Sequence, residues 1–442
     1  MTYTNFIAAI HLGTSRITGI VGRSEAGTLT VIAYDTEVSA HCIRRGCIYN
    51  VKDTADKVRR LIRKLELKTP GSRIGKVYVG IGGQSVRSVE YTVSRAWDTD
   101  CILTDEIMDQ VNEECRAYQP DRLDVVSVMP PVCYLNGRME PEPIGISCSR
   151  MEARYQLIVA RPSIRKITTE CISKLAKTEI AEILISPLAL ADVVLSEDEK
   201  NRGCALIDFG AGVTSLTVYK HGHLLSLCVI PLGGNLITRD IEEFLGIGEA
   251  EAEQLKRKYG KINKNEDLSS QINAEFNKVV EARLEEILEN VYKKLEDTIG
   301  LKELRAGIIV TGKAANLENL TTFINNRLKI DSRYAIIRKD LTVNTNLPDT
   351  HPDGVALGLL LQGTINCSVN IPIPPPPSPP PVQPSPAPPV EKKETVTETI
   401  QEETPSPPGR QGKQGKKGGK KPGFLKKVGE FAGTLFDEDK IK

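Results

Sequence analysis

A strand–turn–strand sequence occurs twice in this chain and constrains its fold more than any other feature. IAAIHLGTSRITGIV (7–21) resembles CALIDFGAGVTSLTV (204–218) at a constant spacing of 197 residues. Each copy reads as a buried strand, a glycine turn with small hydroxyl side chains, and a second strand. GIIVTGKAANL (307–317) is a third strand that runs through glycine into a helix. This order predicts an α/β fold with two related lobes, each presenting one glycine turn.

The two turns have the composition of phosphate-binding loops. Glycine lets consecutive backbone N–H groups approach a phosphate without an obstructing Cβ, and hydroxyl side chains add donors. We expect Asp208, at the end of its strand, to hold Mg²⁺ through water, and the third element to adjoin an adenosine. The alternative is that these are tight turns between core strands. The candidate phosphate-binding residues are Gly13, Thr14, Ser15, Arg16, Asp208, Gly210, Gly212 and Thr214.

Length and composition limit the remaining possibilities. A chain of 442 residues that is 40% apolar can form two or more domains with real cores. The net charge of +1 gives no general attraction to nucleic acid. We expect no signal peptide, no membrane-spanning helix, and reduced, mostly buried cysteines, because the ten cysteines are scattered without a CxxC pair.

Residues 424–436, FLKKVGEFAGTLF, predict an amphipathic helix. At about 100° per residue, its bulky apolar side chains fall within an arc of about 140°. Basic residues between Arg410 and Lys421 precede it, which favours a helix lying in an anionic membrane surface. The alternatives are a partner groove and nucleic acid, and the latter does not account for three phenylalanines on one face. The predicted membrane-binding residues are Phe424, Leu425, Lys426, Lys427, Val428, Phe431, Leu435 and Phe436.

A proline-rich segment separates this helix from the rest of the chain. Sixteen of the twenty-seven prolines lie between Pro372 and Pro422. Such a sequence cannot pack a core and favours extended polyproline II. We interpret it as a disordered tether that holds the membrane helix away from the folded body; the alternative is an inert tail.

The order of two phosphate hairpins and an adenosine turn resembles the superfamily of actin, sugar kinases and DnaK-type chaperones. Four longer segments narrow this resemblance: LSEDEKNRGCALIDFGAGVTSLTVYKHGHL, VIPLGGNLITRDIEEFLG, EAEQLKRKYG and PIGIS. With these segments the chain resembles the FtsA family of actin-like bacterial cell division proteins. The resemblance implies an ATP-binding protein that polymerises and anchors FtsZ at the inner face of the cytoplasmic membrane, at the division site. It implies contacts with the FtsZ C-terminal peptide, with itself, and with other division proteins, but not with nucleic acid.

The resemblance also implies a domain plan, an actin-like two-lobed ATPase fold with an inserted SHS2-like domain. The implied segments are lobe 1 (1–72 and 168–202), the SHS2-like domain (73–167), lobe 2 (203–367) with an FtsZ-docking subdomain (240–304), the disordered proline-rich and then basic linker (368–421), and the amphipathic helix (422–442).

Further nucleotide contacts follow from the same resemblance. Gly233 and Gly234 would line the cleft, Glu253 and Lys256 would contact the ribose, and Gly312 would open the adenosine turn, followed by Lys313.

Four departures from the family pattern affect the expected chemistry. His11 stands where the first hairpin ordinarily has an aspartate, and an imidazole replaces a hard oxygen ligand poorly. The adenosine turn reads TGKAA, with Lys313 in place of glycine, and the second hairpin reads GAGVTS. Ser186 occupies the position where related ATPases carry Glu or Gln. We therefore expect nucleotide binding to be retained or weakened, Mg²⁺ binding to be weakened, and turnover to be very slow.

Two other functions remain possible from the sequence. One is an actin-like scaffold of another type, such as a pilus-assembly or MreB-like protein. The other is a small-molecule kinase, for which Asp208 is the sole candidate base in the second lobe. Neither accounts for the combination of proline-rich tether and amphipathic helix.

Overall fold

The structure is a computed structural model that describes residues 5–25, 27–39, 41–260, 271–345 and 352–370; of 271–274 and 370 only the backbone is described. The predicted disordered linker begins too early at residue 368, because Ser368–Asn370 form a strand that pairs with Ser72–Ile74. The rest of the predicted linker and the membrane helix, 371–442, lie outside these ranges. The strands are β1 (Ile7–Leu12), β2 (Arg16–Glu25), β3 (Thr28–Val38), β4 (Ile43–Arg44), β5 (Cys47–Ile48), β6 (Ser72–Ile74), β7 (Lys76–Ile81), β8 (Arg87–Ile102), β9 (Asp124–Val128), β10 (Val132–Leu135), β11 (Arg138–Glu140), β12 (Ser147–Ala160), β13 (Glu179–Ile185), β14 (Cys204–Phe209), β15 (Thr214–Lys220), β16 (His223–Ile230), β17 (Ile308–Thr311), β18 (Ser332–Tyr334), β19 (Thr342–Thr345) and β20 (Ser368–Asn370).

The helices connect these strands. They are α1 (Val51–Leu67), α2 (Asp105–Ala117), α3 (Pro162–Thr169), α4 (Ser186–Val194), α5 (Glu197–Arg202), α6 (Gly234–Leu245), α7 (Glu249–Tyr259), α8 (Gln271–Thr298), α9 (Leu320–Leu328) and α10 (Gly354–Gln362), with a π-helical turn at Glu170–Leu175 and 3₁₀ turns at Leu301–Glu303 and Lys313–Ala315. No helix in the described part of the chain is both long and apolar enough to cross a membrane.

The predicted duplication is present in the sheets. The first sheet has the order β13-β7-β1-β2-β3-β19, and the second contains β18-β17-β14-β15-β16 in its second half. In each lobe an antiparallel hairpin, β1–β2 or β14–β15, is followed by a third antiparallel strand, while β7 or β17 lies parallel on the other side. Because the carboxyl ends of β1 and β14 both lead into a glycine turn, the two turns belong to equivalent positions of the lobes.

The predicted inserted domain begins later than its sequence suggested. β7 (76–81) lies between β1 and β13 and is part of the first lobe's sheet. The following segment has a separate core, in which one face of β8 and β12 packs against α2 around Val93, Val111 and Tyr155. β8 also meets β16 where Arg87 pairs with Cys228, so this segment extends the second lobe's sheet. Because β7 belongs to the first lobe's sheet, the inserted segment begins after β7.

Two helices cross with their backbones in contact. An ideal Cβ on Gly358 of α10 would lie 1.9 Å from the carbonyl oxygen of Ala189 in α4. Glycine thus allows the two buried helices to approach closely. α4 begins at Ser186 and α10 begins after Asp353, so this crossing sets where both side chains lie.

Replacing Gly358 with alanine should lower the free energy of unfolding by about 1–3 kcal/mol, because the added methyl group forces α10 away from α4. Gly248→Ala is the matched control: its φ is −80° and nothing lies within 4 Å of its ideal Cβ, so a loss below about 1 kcal/mol is expected. Urea denaturation of the full chain measures both. Equal losses in the two variants would contradict the close crossing.

Candidate nucleotide-binding cleft

The two glycine turns close in the same way. The N–H of Gly13 donates to the carbonyl of Arg16 at 3.1 Å, and the N–H of Gly210 donates to that of Val213 at 2.9 Å. Both pairs are related by the spacing of the sequence repeat. A Cβ at Gly13 would lie 2.7 Å from the Arg16 carbonyl oxygen, so this turn requires glycine. The repeat in the sequence therefore corresponds to two turns with the same hydrogen bond.

The turns meet across the space between the lobes. An ideal Cβ on Gly212 would lie 2.7 Å from Oγ1 of Thr14, so the two backbones approach with only that side chain between them. The Thr14 hydroxyl accepts a hydrogen bond from the N–H of Gly46 at 2.9 Å. Its own proton is left to donate to a ligand in the cleft.

A network that the sequence analysis missed supports the first turn. The Ser39 hydroxyl donates to the Gly13 carbonyl at 2.7 Å, and the Ser39 N–H donates to the Ser15 carbonyl at 3.0 Å. The buried ammonium group of Lys57 donates to the Ser39 carbonyl at 3.0 Å and lies 3.3 Å from Asp53. Lys57 lies on α1, and nothing in the sequence indicated that its side chain supports the turn.

Most of the predicted phosphate-binding residues surround one cavity between the lobes. The predicted residues that line it are Gly13, Thr14, Ser15, Arg16, Asp208, Gly210, Gly212, Gly312 and Lys313. The structure thus brings together the two turns and the third glycine element.

Three predicted residues support the second turn from outside the cavity lining. The buried Thr214 hydroxyl donates to the carbonyl of Leu232 at 2.8 Å. The N–H of Gly234 donates to the Gly210 carbonyl at 2.9 Å, and a Cβ on Gly233 would lie 2.7 Å from that same oxygen. These residues therefore position the backbone of the second turn.

Glu253 and Lys256 bind each other instead of facing the cavity. The Lys256 ammonium group donates to the Gly234 carbonyl at 3.0 Å, to the Thr238 hydroxyl at 2.7 Å, and to Glu253 at 2.6 Å. Burial lowers the pKa of Lys256, and Glu253 partly opposes this shift. Burial alone would raise the pKa of Glu253, but hydrogen bonds from Lys256 and Thr238 hold it below its ordinary value.

Asp353 is a cleft residue that the sequence analysis missed. It caps α10 by accepting the N–H of Ala356 at 2.8 Å, and its other oxygen lies 3.3 Å from the Thr18 hydroxyl and 3.4 Å from that of Tyr34. Burial, followed by the charge of Asp353, raises the pKa of Tyr34. An aspartate before the apolar run GVALGLLL fits a helix N-cap, but that common signal does not indicate a cleft.

His11 and Asp208 face the same cavity in a poorly solvated setting. Burial lowers the pKa of His11; the charge of Asp353 opposes this shift and that of Lys313 adds to it. Burial, together with the charge of Asp353, raises the pKa of Asp208 to about 6. Within the described residues no donor lies within hydrogen-bonding distance of the Asp208 carboxylate.

Ser186 also lines the cavity, and its buried hydroxyl has no partner among the described residues. A buried hydroxyl without a partner is costly, so it marks a place where a ligand or water would complete the bonding. Two glycine turns, free hydroxyl groups and two cations are the chemistry that recognises the phosphates of a nucleotide.

Comparison with known proteins identifies the family of this chain. Residues 205–349 match the family model described as cell division protein FtsA. The cell division protein FtsA of Porphyromonas gingivalis is 34% identical over 330 residues, which cover 71% of this chain and 68% of the relative. This chain belongs to the FtsA family. The FtsA of Bacillus subtilis is 28% identical over 353 residues, or 76% of this chain and 79% of that protein.

One solved structure has a similar fold to this FtsA family member although the two sequences have little similarity. The PilM–PilN type IV pilus biogenesis complex contains a chain with a TM-score of 0.56 and 16% identity, covering 80% of this chain and 97% of that one. The likeness is one of fold. The expected α/β architecture and the resemblance to FtsA are therefore confirmed.

Ionisation of Asp208 should destabilise this FtsA family member as pH rises from about 4 to about 7. The folded protein binds the Asp208 proton more tightly than the unfolded chain, so ionisation of Asp208 favours unfolding by up to about 3 kcal/mol. Asp208→Asn should remove this part of the pH dependence and stabilise the ligand-free protein at pH 7. Melting temperatures across this pH range measure the effect.

Asp121→Asn provides the control, since Asp121 is 91% exposed and should leave the pH profile unchanged. If Asp208→Asn and the unmodified protein lose stability equally over this range, the carboxylate is not in the poorly solvated site described.

Proposed function

We propose that this protein is a nucleotide-binding, polymerising adaptor that anchors FtsZ to the inner face of the cytoplasmic membrane at the division site. The observation that carries the nucleotide part is the convergence of two glycine turns, Thr14 and the unpartnered Ser186 hydroxyl on one cavity. Membership of a family of cell division proteins supports the adaptor role. The ligand is ATP, with its phosphates between the turns and its adenosine beside Gly312.

Nucleotide turnover in this cleft is proposed to be very slow. Ser186, at the N-terminus of α4, has a hydroxyl and no carboxylate or amide with which to orient a water. Asp353 is held by Ala356, Thr18 and Tyr34, so it does not serve freely as a base. The protein therefore uses the nucleotide to set its conformation or its polymerisation.

The segment around β8 and β12 is proposed to be the SHS2-like domain of the family. Its separate core between α2 and the two long strands supports an autonomous unit. The docking subdomain for FtsZ is proposed to consist of α6, α7 and α8. Arg283 of α8 holds Asp240 of α6 through two hydrogen bonds at 2.6 and 2.9 Å, which makes α6 and α8 one unit.

Tyr292 is the surface residue we select as the FtsZ contact. In the described part of 240–304 it is the large apolar side chain that stands exposed, at 37%. Tyrosine is a frequent anchor of protein interfaces. Tyr292→Asp should therefore weaken binding of the FtsZ C-terminal peptide by about fivefold or more, measured by fluorescence anisotropy.

Tyr49→Asp is the matched control, because Tyr49 is 64% exposed and lies outside the proposed docking subdomain. If both variants bind the peptide with equal affinity, Tyr292 does not contact the peptide. If the unmodified protein does not bind the peptide at all, the proposed adaptor function is contradicted.

Phe431→Glu together with Phe436→Glu should release the protein from anionic liposomes. Each buried phenylalanine contributes about 2 kcal/mol to membrane binding, and each nearby lysine adds up to about 1 kcal/mol on anionic lipid. Liposome co-sedimentation measures the loss, and raising the salt concentration should weaken binding only in part.

Val396→Glu together with Ile400→Glu provides the control, since these apolar residues lie in the predicted linker outside the amphipathic helix. Undiminished binding of the double phenylalanine variant would show that this helix is not the anchor.

A further inference from the structure

The two lobes place different charges at equivalent positions of the cleft. The spacing of 197 residues pairs His11 with Asp208, and Arg16 with Val213. The first turn thus carries an imidazole and a cation where the second carries a carboxylate and an apolar side chain. Since the turns share the same closing hydrogen bond, this difference is chemical and not one of backbone shape.

Lys313 brings a second cation to the same cavity. Thr311 pairs with Asp208 between the parallel strands β17 and β14, so the next turn begins beside the carboxylate. Gly312 has φ +96°, and its ideal Cβ would lie 2.5 Å from Oδ1 of Asp208. Lys313 follows at once and lines the cavity with Arg16.

In the described part of the chain these two cations have no carboxylate partner. Within residues 5–345 and 352–370, apart from the short undescribed gaps, neither Arg16 nor Lys313 forms an ion pair. Burial lowers the pKa of Lys313, the charge of Arg16 adds to this shift, and that of Asp353 opposes it. Two cations that repel each other in a cleft indicate that the natural ligand is an anion.

The residues of the cleft do not fit a Mg²⁺ site built on two carboxylates. Mg²⁺ prefers oxygen ligands in octahedral geometry, and the imidazole of His11 is a poor substitute. Asp353 already accepts hydrogen bonds from Ala356, Thr18 and Tyr34. No group of three His, Cys, Asp or Glu side chains in the described residues could hold a metal ion. Asp208 would then be the carboxylate left to hold a divalent cation, and the positive charges of Arg16 and Lys313 would repel that ion.

We propose that Arg16 and Lys313 supply the positive charge for phosphate binding, so that this cleft binds a nucleoside polyphosphate without Mg²⁺. The inference rests on the nucleotide binding proposed above. The charges of one arginine and one lysine equal that of one Mg²⁺, and both side chains are fixed to turns that already contact the cavity. Arginine stays charged and can contact two phosphate oxygens, while lysine acts as a point charge.

Calorimetry of ATP binding to the full-length protein tests the proposal, once with excess EDTA and once with excess Mg²⁺. The two affinities should agree within about threefold. Lys313→Ala should lose about tenfold or more of the affinity in EDTA, as expected for a charged phosphate contact. Lys302→Ala is the matched control, because Lys302 is exposed and does not line the cavity.

The possible results separate this proposal from the function on which it rests. Binding that appears only with Mg²⁺ overturns the metal-independent site but leaves the nucleotide cleft in place. Absence of binding in both solutions overturns both. If Lys313→Ala binds ATP in EDTA with the same affinity as the unmodified protein, the proposed role of Lys313 is also overturned.

His11→Asp gives an independent readout. It restores a carboxylate at the position equivalent to Asp208 and adds negative charge to the cleft. We expect weaker ATP binding in EDTA and recovery on addition of Mg²⁺, with thermal melting as the check of folding. If His11→Asp binds ATP with the same affinity as the unmodified protein in both solutions, the proposal is contradicted.

Discussion

The backbone contact between α4 and α10 is the constraint on which the cleft depends. Gly358 removes the side chain that would otherwise strike the Ala189 carbonyl, so the helices pack without separation. The N-terminus of α4 then holds Ser186, and the N-cap of α10 holds Asp353, against the same cavity. A carboxylate and a hydroxyl that are far apart in sequence come to line one cavity through this crossing. The energetics of packing thus determine the chemistry that is available to a ligand.

The duplicated lobes show how a shared backbone can carry different chemistry. Both turns need glycine where a side chain would meet a carbonyl oxygen, so their shape is fixed by sterics. Positions 11 and 16 have no such requirement and differ from 208 and 213 in charge. The resulting cleft has cations on the first turn and on the third glycine element, and it is also lined by the Asp208 carboxylate, for which the described residues supply no hydrogen-bond donor. An anionic ligand would relieve the repulsion between Arg16 and Lys313, whereas an ionised Asp208 would repel that ligand.

The sequence predicted the parts of the site that repeat. Two copies with constant spacing indicated the lobes, the strands and the turn residues, because the same local hydrogen bonds recur in both. Asp353 could not be predicted in this way, since its position depends on the α4–α10 crossing. Glu253 and Lys256 were assigned to the ribose by resemblance alone, whereas the structure pairs their charges with each other. The sequence placed the start of the inserted domain at residue 73, whereas β7 (76–81) lies in the first lobe's sheet beside the distant strand β13, a pairing that no local pattern reveals.

The second turn is also connected to the proposed docking surface. The Gly210 carbonyl accepts the N–H of Gly234, at the start of α6, and the Gly234 carbonyl accepts the Lys256 ammonium group from α7. α6 in turn holds α8 through Asp240 and Arg283. A contiguous set of hydrogen bonds therefore runs from the proposed phosphate-binding turn to the helix that carries Tyr292. Such continuity transmits a ligand's effect only if α6 has two discrete arrangements that the nucleotide distinguishes. The Lys256–Glu253 pair favours a fixed arrangement, because the buried Lys256 ammonium group would lose its charged partner if Glu253 moved away.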